Sequence, residues 1–294
     1  MRKIQINGDT FNLPDNWNEL NKLQLIQLCS LTKTNIGVNE LKIKLVLLWL
    51  DLAVEHKPAI DVKNETLYRL RHKRKFYNIA VTDLVAISNK LSWLFKSKKN
   101  KDGIVIEIDS KLIRQLIPEI KIGDTVLHGP ADAMSNTVFK EYVHIETFYD
   151  KYAQTHDQEY FNKILAVLYR PRSANYNPEN PTDDIREALN DNLINSRAKW
   201  FADVSEDVKL AVFQFYAGTK AFMKKKYPHV YEEGGSKSIH KRDVFDDFIR
   251  LTNALTNDDV TKFDEVMEQN TYKVLTTMDE LRRKQKEFEA KMNK

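Results

Sequence analysis

The chain has 294 residues, 42% hydrophobic and 30% charged, which is the balance of a globular protein and excludes a disordered or membrane-embedded one. The longest apolar run, Leu45 to Val54, is interrupted by Asp51 and is too short to cross a bilayer, so we expect no membrane contact. A single cysteine, Cys29, excludes a disulfide framework and a cysteine-based zinc site. The start of the chain lacks the apolar centre of a signal peptide, which predicts synthesis in a reducing cytoplasm.

The net charge is only +4, but it is unevenly distributed along the chain. Between Lys63 and Lys101 there are eleven Lys and Arg residues against two acidic ones, so this segment carries +9 and the remainder −5. Clustered cations release counterions when they meet phosphates, which favours DNA or an acidic partner. The alternative is a solvated helix face followed by a flexible loop. The candidate DNA or anion contacts are Arg69, Arg71, Lys73, Arg74, Lys75, Lys98 and Lys99.

The N-terminal third predicts a hairpin followed by helices. Residues 2–13 alternate apolar and polar side chains around Asn7-Gly8, the preferred two-residue hairpin turn. Apolar residues at helical spacing then predict one helix from about Leu20 and a second over residues 38–55. Residues 64–79 are amphipathic and basic, and Thr82 is the predicted N-cap of the helix after them.

The middle of the chain interrupts this helical pattern. The stretch "KSKKNKDG", residues 96–103, breaks the apolar spacing and predicts a loop. After it, alternating side chains in residues 104–108 and 119–129, with a turn at Gly123-Asp124, predict two or three short strands. We expect these strands and the N-terminal hairpin to form one small antiparallel sheet.

From about Ser135 onward the sequence predicts only helices. The spacing of Thr155 and Gln158 fits a capping box, and Ser205 is the predicted N-cap of a long helix. The expected fold class is therefore mainly α (α+β), a multi-helix body with one small antiparallel sheet. We expect two domains: an N-terminal α+β region over 1–134, which holds the basic segment, and an all-helical region over 135–294.

The last predicted helix has a heptad-like apolar seam. Its apolar positions follow one another at intervals of four and three residues, which is the pattern of a helix that packs along a partner helix. Docking on its own domain and binding a second protein remain equally open. The seam consists of Val274, Met278, Leu281, Gln285, Phe288 and Met292, and the candidate interface residues on it are Leu281 and Phe288.

The stretch "KILAVLYRPRSANYNPENP", residues 163–181, begins as an apolar helix and stops at Pro171. Proline cannot continue a helix and biases the preceding residue away from helical angles. Three prolines without glycine predict a rigid exposed connection, which suits a fixed arm better than a moving catalytic lid. The candidate interface residues at this corner are Tyr169, Arg170, Arg172 and Tyr176.

No pattern of catalytic, cofactor-binding or metal-ligating residues stands out. The sequence contains no HExxH, no glycine-rich phosphate loop and no GxSxG elbow. Glu141 and His144 lie one helical turn apart, and a surface pair is a better interpretation than a shared metal. We therefore expect no enzyme activity and no cofactor.

Two short motifs occur in this largely helical sequence. One is a P-x-x-W-x-E-L start, with Pro14, Trp17, Glu19 and Leu20, and the other is an LYRP segment, with Leu168, Tyr169, Arg170 and Pro171. In this combination the chain resembles proteins of tailed phages that infect Bacteroidetes, including the crAss-like phages.

This resemblance implies a structural protein of the virion neck or tail, such as a ring-forming subunit below the portal. It implies twelve copies in the ring, contacts with the portal and other tail proteins, and no catalytic residues. Two alternatives stay open: a cytoplasmic tail assembly chaperone, and an accessory protein that binds DNA through residues 69–101.

Overall fold

The structure is a computed structural model that describes residues 1–60, 66–100, 103–180, 184–232, 244–256 and 259–292. Lys63 and Lys101, the ends of the basic segment, and Pro181, the end of the stretch 163–181, lie outside these residues. In the described part of the chain the strands are β1 (Arg2–Ile6), β2 (Asp9–Leu13), β3 (Ala53–Ile60), β4 (Thr66–His72), β5 (Lys75–Ala80), β6 (Phe95–Asn100), β7 (Gly103–Ile108), β8 (Glu119–Ile122) and β9 (Thr125–His128).

Most of the described chain is helical. The helices are α1 (Lys22–Thr32), α2 (Val38–Trp49), α3 (Val81–Ser88), α4 (Phe139–Thr155), α5 (Gln158–Leu168), α6 (Ile194–Ala198), α7 (Glu206–Lys226), α8 (Pro228–Tyr231), α9 (Val244–Thr256), α10 (Phe263–Met267) and α11 (Thr271–Met292), with short 3-10 turns between some of them. The predicted mainly α (α+β) class is confirmed.

The prediction of one small sheet is wrong, because the strands form four small sheets. These are β1-β2, β3-β4-β5, β6-β7 and β8-β9, each antiparallel. Every strand pairs with a neighbour in sequence, since a short connection closes a hairpin at much lower entropic cost than a long one. The Asn7-Gly8 turn is confirmed, with φ of 49° and 87°, as is the two-residue turn at Gly123-Asp124.

The chain divides into two compact units. Unit 1 comprises Met1–Leu116 and Glu206–Gly218, and unit 2 comprises Ile117–Ser205 and Thr219–Lys294. Helix α7 therefore contributes residues to both. The two units are defined by their internal packing. That residues 1–134 and 135–294 form separate domains stays a prediction.

In unit 1, residues 66–72 and 75–80 of the basic segment form strands β4 and β5 instead of the helix face considered above. Leu70 lies opposite Tyr77 across β4 and β5, and both side chains are buried on the inner face of the sheet. The alternation that buries these residues turns Arg69 and Arg71 to the other face. Helix α2 ends at Trp49, well before residue 55, because the chain enters strand β3 at Ala53.

Helix caps differ from two predictions. Helix α3 begins at Val81 after Ala80, so Thr82 lies inside the helix and is not its N-cap. Thr155 ends α4 instead of starting α5, which is capped by Asp157, whose carboxylate accepts a hydrogen bond from Glu159 N at 2.9 Å. A capping box does occur at the start of α1, where the side chains of Asn21 and Gln24 accept from each other's backbone amides.

In unit 2, α4 lies at the centre of the packing. Phe139 and Tyr142 on α4 both meet the ring of Phe248 edge-on, with centroids 5.8 Å and 5.7 Å apart. Helix α5 buries Phe161 and its last five residues, and it ends at Leu168. The predicted stop before Pro171 is confirmed, and the buried Arg170 lies just beyond the end of α5.

Candidate interaction sites

The corner after α5 contains a buried charge cluster made of Glu141, Arg170, Asp184 and Arg186. Arg170 donates to Glu141 Oε1 at 2.6 Å, and Arg186 Nη2 lies 3.2 Å from Glu141 Oε2. Arg186 also forks onto the Asp184 carboxylate through Nε and Nη2. Two guanidinium groups and two carboxylates cancel in charge, which is the condition under which buried ions are tolerated.

The remaining donors of the two arginines satisfy backbone carbonyls at the corner. Arg170 donates to Val167 O at 2.7 Å and to Glu187 O at 2.8 Å, and Arg186 donates to Leu168 O at 3.2 Å. These carbonyls belong to the end of α5 and the segment beyond the corner. Burial lowers the pKa of Arg170, whereas the Glu141 and Asp184 carboxylates outweigh burial and raise the pKa of Arg186.

Backbone hydrogen bonds join the two ends of the segment between Pro171 and Glu187, called the arm here, of which residues 181–183 lie outside the described part of the chain. Ser173 N donates to Ile185 O at 2.8 Å and Glu187 N donates to Pro171 O at 2.9 Å, on either side of an antiparallel bridge between Arg172 and Arg186. The guanidinium of Arg172 lies 5.0 Å from the ring centroid of Tyr176. The base of the arm is therefore a fixed joint.

The interface prediction needs correction at Tyr169 and Arg170. Each residue is only 1% exposed, and the Tyr169 hydroxyl donates to Ile117 O at 2.7 Å. Both side chains are enclosed by unit 2, so they offer no surface to a second molecule. Arg172 is exposed and Tyr176 is half-buried, and their contact with a neighbour stays a prediction.

The predicted anion contacts lie on two different hairpins, β4-β5 and β6-β7. Arg71 pairs with Glu55, Lys75 pairs with Asp9 at 2.9 Å, and the Arg69 guanidinium stacks 4.4 Å from the Phe76 centroid. The other four make no ion pair with another described residue and are exposed: Lys73, Arg74, Lys98 and Lys99. Their role in binding DNA is untested.

The β6-β7 hairpin exposes a row of isoleucines. Ile104 is 74% exposed and Ile106 is 49% exposed. The register sets Lys99 opposite Ile104 and Ser97 opposite Ile106, so these four side chains share one face. Lys98 and Val105 oppose each other on the other face. The predicted loop at residues 96–103 is therefore partly a strand. From the sequence alone, Ile104 and Ile106 were not identified as a candidate site.

Helix α11 is packed along its first half only. Val274, Leu275 and Met278 are buried, whereas Leu281 and Phe288 are 47% and 65% exposed. Asp279 accepts hydrogen bonds from the backbone amides at the start of α8, and Arg282 donates to two carbonyls there. The predicted heptad seam is therefore divided into a docked part and an exposed part, and the interface prediction at the last two residues is untested.

A groove in unit 2 is lined in part by His144, whose side chain is partly buried. Asp191 accepts from Lys140 at 2.9 Å and lies 3.4 Å from the His144 ring nitrogen. Burial lowers the pKa of His144, and the Asp191 carboxylate opposes that shift. The groove has a volume of about 540 Å³ and is lined by Lys140, His144, Asp191, Phe245, Ile249, Phe263, Asp264, Met267 and Glu268.

The described residues contain no metal-binding cluster, either in this groove or at Glu141 and His144. Glu141 and His144 have different partners, the buried arginines for Glu141 and Asp191 for His144, so they do not form a metal pair. No group of three His, Cys, Asp or Glu residues among the described ones could hold a metal ion. No described helix is long and apolar enough to span a membrane.

No known protein-family model, curated protein or solved structure matches the chain. The functional proposals below therefore rest on the geometry of the chain and on the two motifs described above.

Proposed function

We propose that the protein is a structural subunit of a tailed-phage particle and assembles with copies of itself into a ring in the neck or tail. The exposed isoleucine row of the β6-β7 hairpin is the observation that carries this proposal. The phage context comes from the resemblance of the motifs that end at Leu20 and Pro171. The hydrogen bonds that join the two ends of the arm at Pro171 and Glu187 add a second feature of defined geometry.

The physical reason is that a two-stranded hairpin with an exposed apolar face gains stability when another protein surface covers that face. Isolated hairpins are marginally stable in water, and open strand edges pair readily with other chains. Covering an isoleucine side chain contributes roughly 1.5 to 3 kcal/mol, so the hairpin gains stability when a protein surface encloses Ile104 and Ile106. An exposed apolar face of this kind is typical of a subunit that assembles with other chains. In a protein that acts alone, the same face would promote aggregation.

Native mass spectrometry of the purified chain, together with protein mass spectrometry of the particles, tests the proposal. We expect a closed oligomer, of twelve copies by the resemblance, and the same chain in the virion. A chain that stays monomeric and is missing from particles would refute the proposal. A soluble monomer or dimer that binds tail protein but is missing from the particle would instead identify an assembly chaperone.

DNA contact is a second candidate function, which the unpaired cations of the two basic hairpins favour. Lys73, Arg74, Lys98 and Lys99 are exposed and lack an acidic partner among the described residues. Binding through phosphates weakens linearly with the logarithm of salt concentration. Replacing Lys98 and Lys99 by Gln should reduce that slope by about one to two units, and an unchanged slope would exclude these lysines as phosphate contacts.

A further inference from the structure

The isoleucine row and the groove of unit 2 have complementary chemistry. The hairpin face presents Ile104 and Ile106 with Lys99 beside them. The groove presents four apolar side chains, Phe245, Ile249, Phe263 and Met267, with the carboxylates of Asp264 and Glu268 at the same site. The hairpin therefore offers apolar side chains beside a cation, and the groove offers apolar side chains beside two exposed carboxylates, with Lys140 and Asp191 paired to each other in the same lining.

The groove also has a suitable size. Its volume of about 540 Å³ lies within the range of roughly 300–1,000 Å³ found for clefts that enclose a small ligand. Two isoleucine side chains at the end of a hairpin are of that scale. Asp264 and Glu268 are exposed, so they are accessible to an approaching lysine.

We propose that the isoleucine row of one copy inserts into the groove of a second copy, with Lys99 beside Asp264 and Glu268. The contact rests on the proposed function as a ring subunit and specifies how successive subunits join. The two surfaces are different, so the contact is head-to-tail, and it closes into a ring when the rotation between successive copies permits. The charge distribution agrees with this, because the segment from Lys63 to Lys101, which includes strand β6 and Lys99, is basic and the remainder of the chain is acidic.

Aspartate substitutions on opposite faces of the hairpin test the apolar half of the contact. Ile104→Asp should weaken self-association by about 10- to 100-fold, measured by sedimentation velocity over a concentration series, because it places a charge in the apolar recess. Val105→Asp introduces the same charge on the other face of the same hairpin and should assemble like the wild type. Circular dichroism establishes that both variants remain folded.

Charge reversal tests the polar half. Lys99→Glu alone and Asp264→Lys with Glu268→Lys should each weaken assembly by about 5- to 50-fold, and combining them in one chain should restore part of it. Asp246→Lys, an exposed reversal on α9 outside the groove lining, is the matched control.

Mixing two defective chains gives the sharpest result. The Ile104→Asp chain retains an intact groove, and the Asp264→Lys, Glu268→Lys chain retains an intact hairpin. A head-to-tail contact predicts that the mixture forms a one-to-one dimer and stops there, since the only competent pairing uses one surface from each chain.

The outcomes separate this contact from the proposed function. A wild-type oligomer that persists in Ile104→Asp would leave the ring subunit intact and overturn the contact. Equal loss in Ile104→Asp and Val105→Asp would also overturn it, because it would mean that another partner or another surface covers the hairpin. A wild type that is monomeric at all concentrations would overturn the contact, and its absence from the particles as well would overturn the proposed function.

Discussion

Arg170 and Glu141 form an ion pair at 2.6 Å in which both side chains are almost completely buried, with exposures of 1% and 4%. Arg186 approaches the second oxygen of the same carboxylate, so Glu141 is shared by two guanidinium groups. This single carboxylate connects α4 to the corner after α5 and to the base of the arm. The positions of the three segments therefore depend on it.

Glu141→Gln should destabilise the protein by about 3 to 5 kcal/mol, because it removes the charge that balances two buried arginines. The free energy of unfolding from urea denaturation measures the effect. The same substitution at Glu159 is the control. Glu159 pairs with Lys163 at 2.7 Å, but its side chain is 65% exposed, so Glu159→Gln should cost less than about 1 kcal/mol. Similar losses at the two sites would show that the cluster is not buried as described.

Gly218→Ala should destabilise unit 1 by about 2 kcal/mol or more. A Cβ built on Gly218 lies 2.3 Å from Leu112 O and 2.4 Å from Leu112 N, and these are backbone atoms that cannot rotate away. Overpacking of this kind outweighs the gain of about 1 kcal/mol that alanine normally brings inside a helix. Thermal unfolding followed by circular dichroism measures the change.

Gly37→Ala provides the comparison for that substitution. Gly37 precedes α2, has no atom within 4 Å of an added Cβ and has a negative φ. Alanine is a poorer N-cap than glycine, so a loss of less than about 1 kcal/mol is expected there. A Gly218→Ala protein as stable as Gly37→Ala would contradict the close approach to Leu112.

His144 should make unit 2 less stable in mild acid. Burial lowers its pKa below the 6.5 of an exposed histidine, with Asp191 and Lys140 as its charged neighbours and Phe148 and Phe245 as its ring neighbours. Because the unfolded chain then binds the proton more tightly, the contribution is complete above pH 6.5 and is lost as the pH falls from there towards the folded pKa.

His144→Gln isolates this contribution. The wild type should lose more stability than the variant between about pH 7.5 and about pH 5.5, as measured by urea denaturation at each pH. Equal losses in the two proteins would show that His144 does not carry the acid sensitivity.

Cys29 should be unreactive in the folded protein. Burial, assisted by the negative charge of Asp207, raises the pKa of the thiol to about 12 and encloses the sulfur. Only the thiolate attacks a disulfide reagent, so reaction at about pH 8 should require unfolding and should accelerate through the urea transition. Fast reaction of the native protein, compared with free cysteine as the reference, would contradict the burial.

Local signals predicted the elements whose cause is local. Pro171 lacks an amide hydrogen, so the end of α5 could be predicted from one residue, and Asn7-Gly8 predicted the first hairpin because both residues accept positive φ. These features depend on a few neighbouring residues and no distant partner.

Features that depend on distant partners were not predictable. Glu141 and Arg170 are separated by 29 residues, and arginine is mostly exposed in proteins, so Arg170 was expected at the surface. The lysines of β6 resembled a loop because charged residues are rare in strands, and only their pairing with the isoleucines of β7 shows otherwise. In "IVIEI", the stretch containing these isoleucines, alternation indicated a strand but not that Ile104, Val105 and Ile106 would all stay exposed.

The joined ends of the arm have a consequence for how the chain can be altered. Because hydrogen bonds close the arm at Pro171 and Glu187, a peptide inserted between Asn177 and Asn180 lengthens a loop whose ends do not move. The entropic cost of such an insertion grows only with the logarithm of its length. This makes the arm a natural place for an epitope or a fluorescent tag, and a place where sequence length can vary without disturbing the packing of the helices.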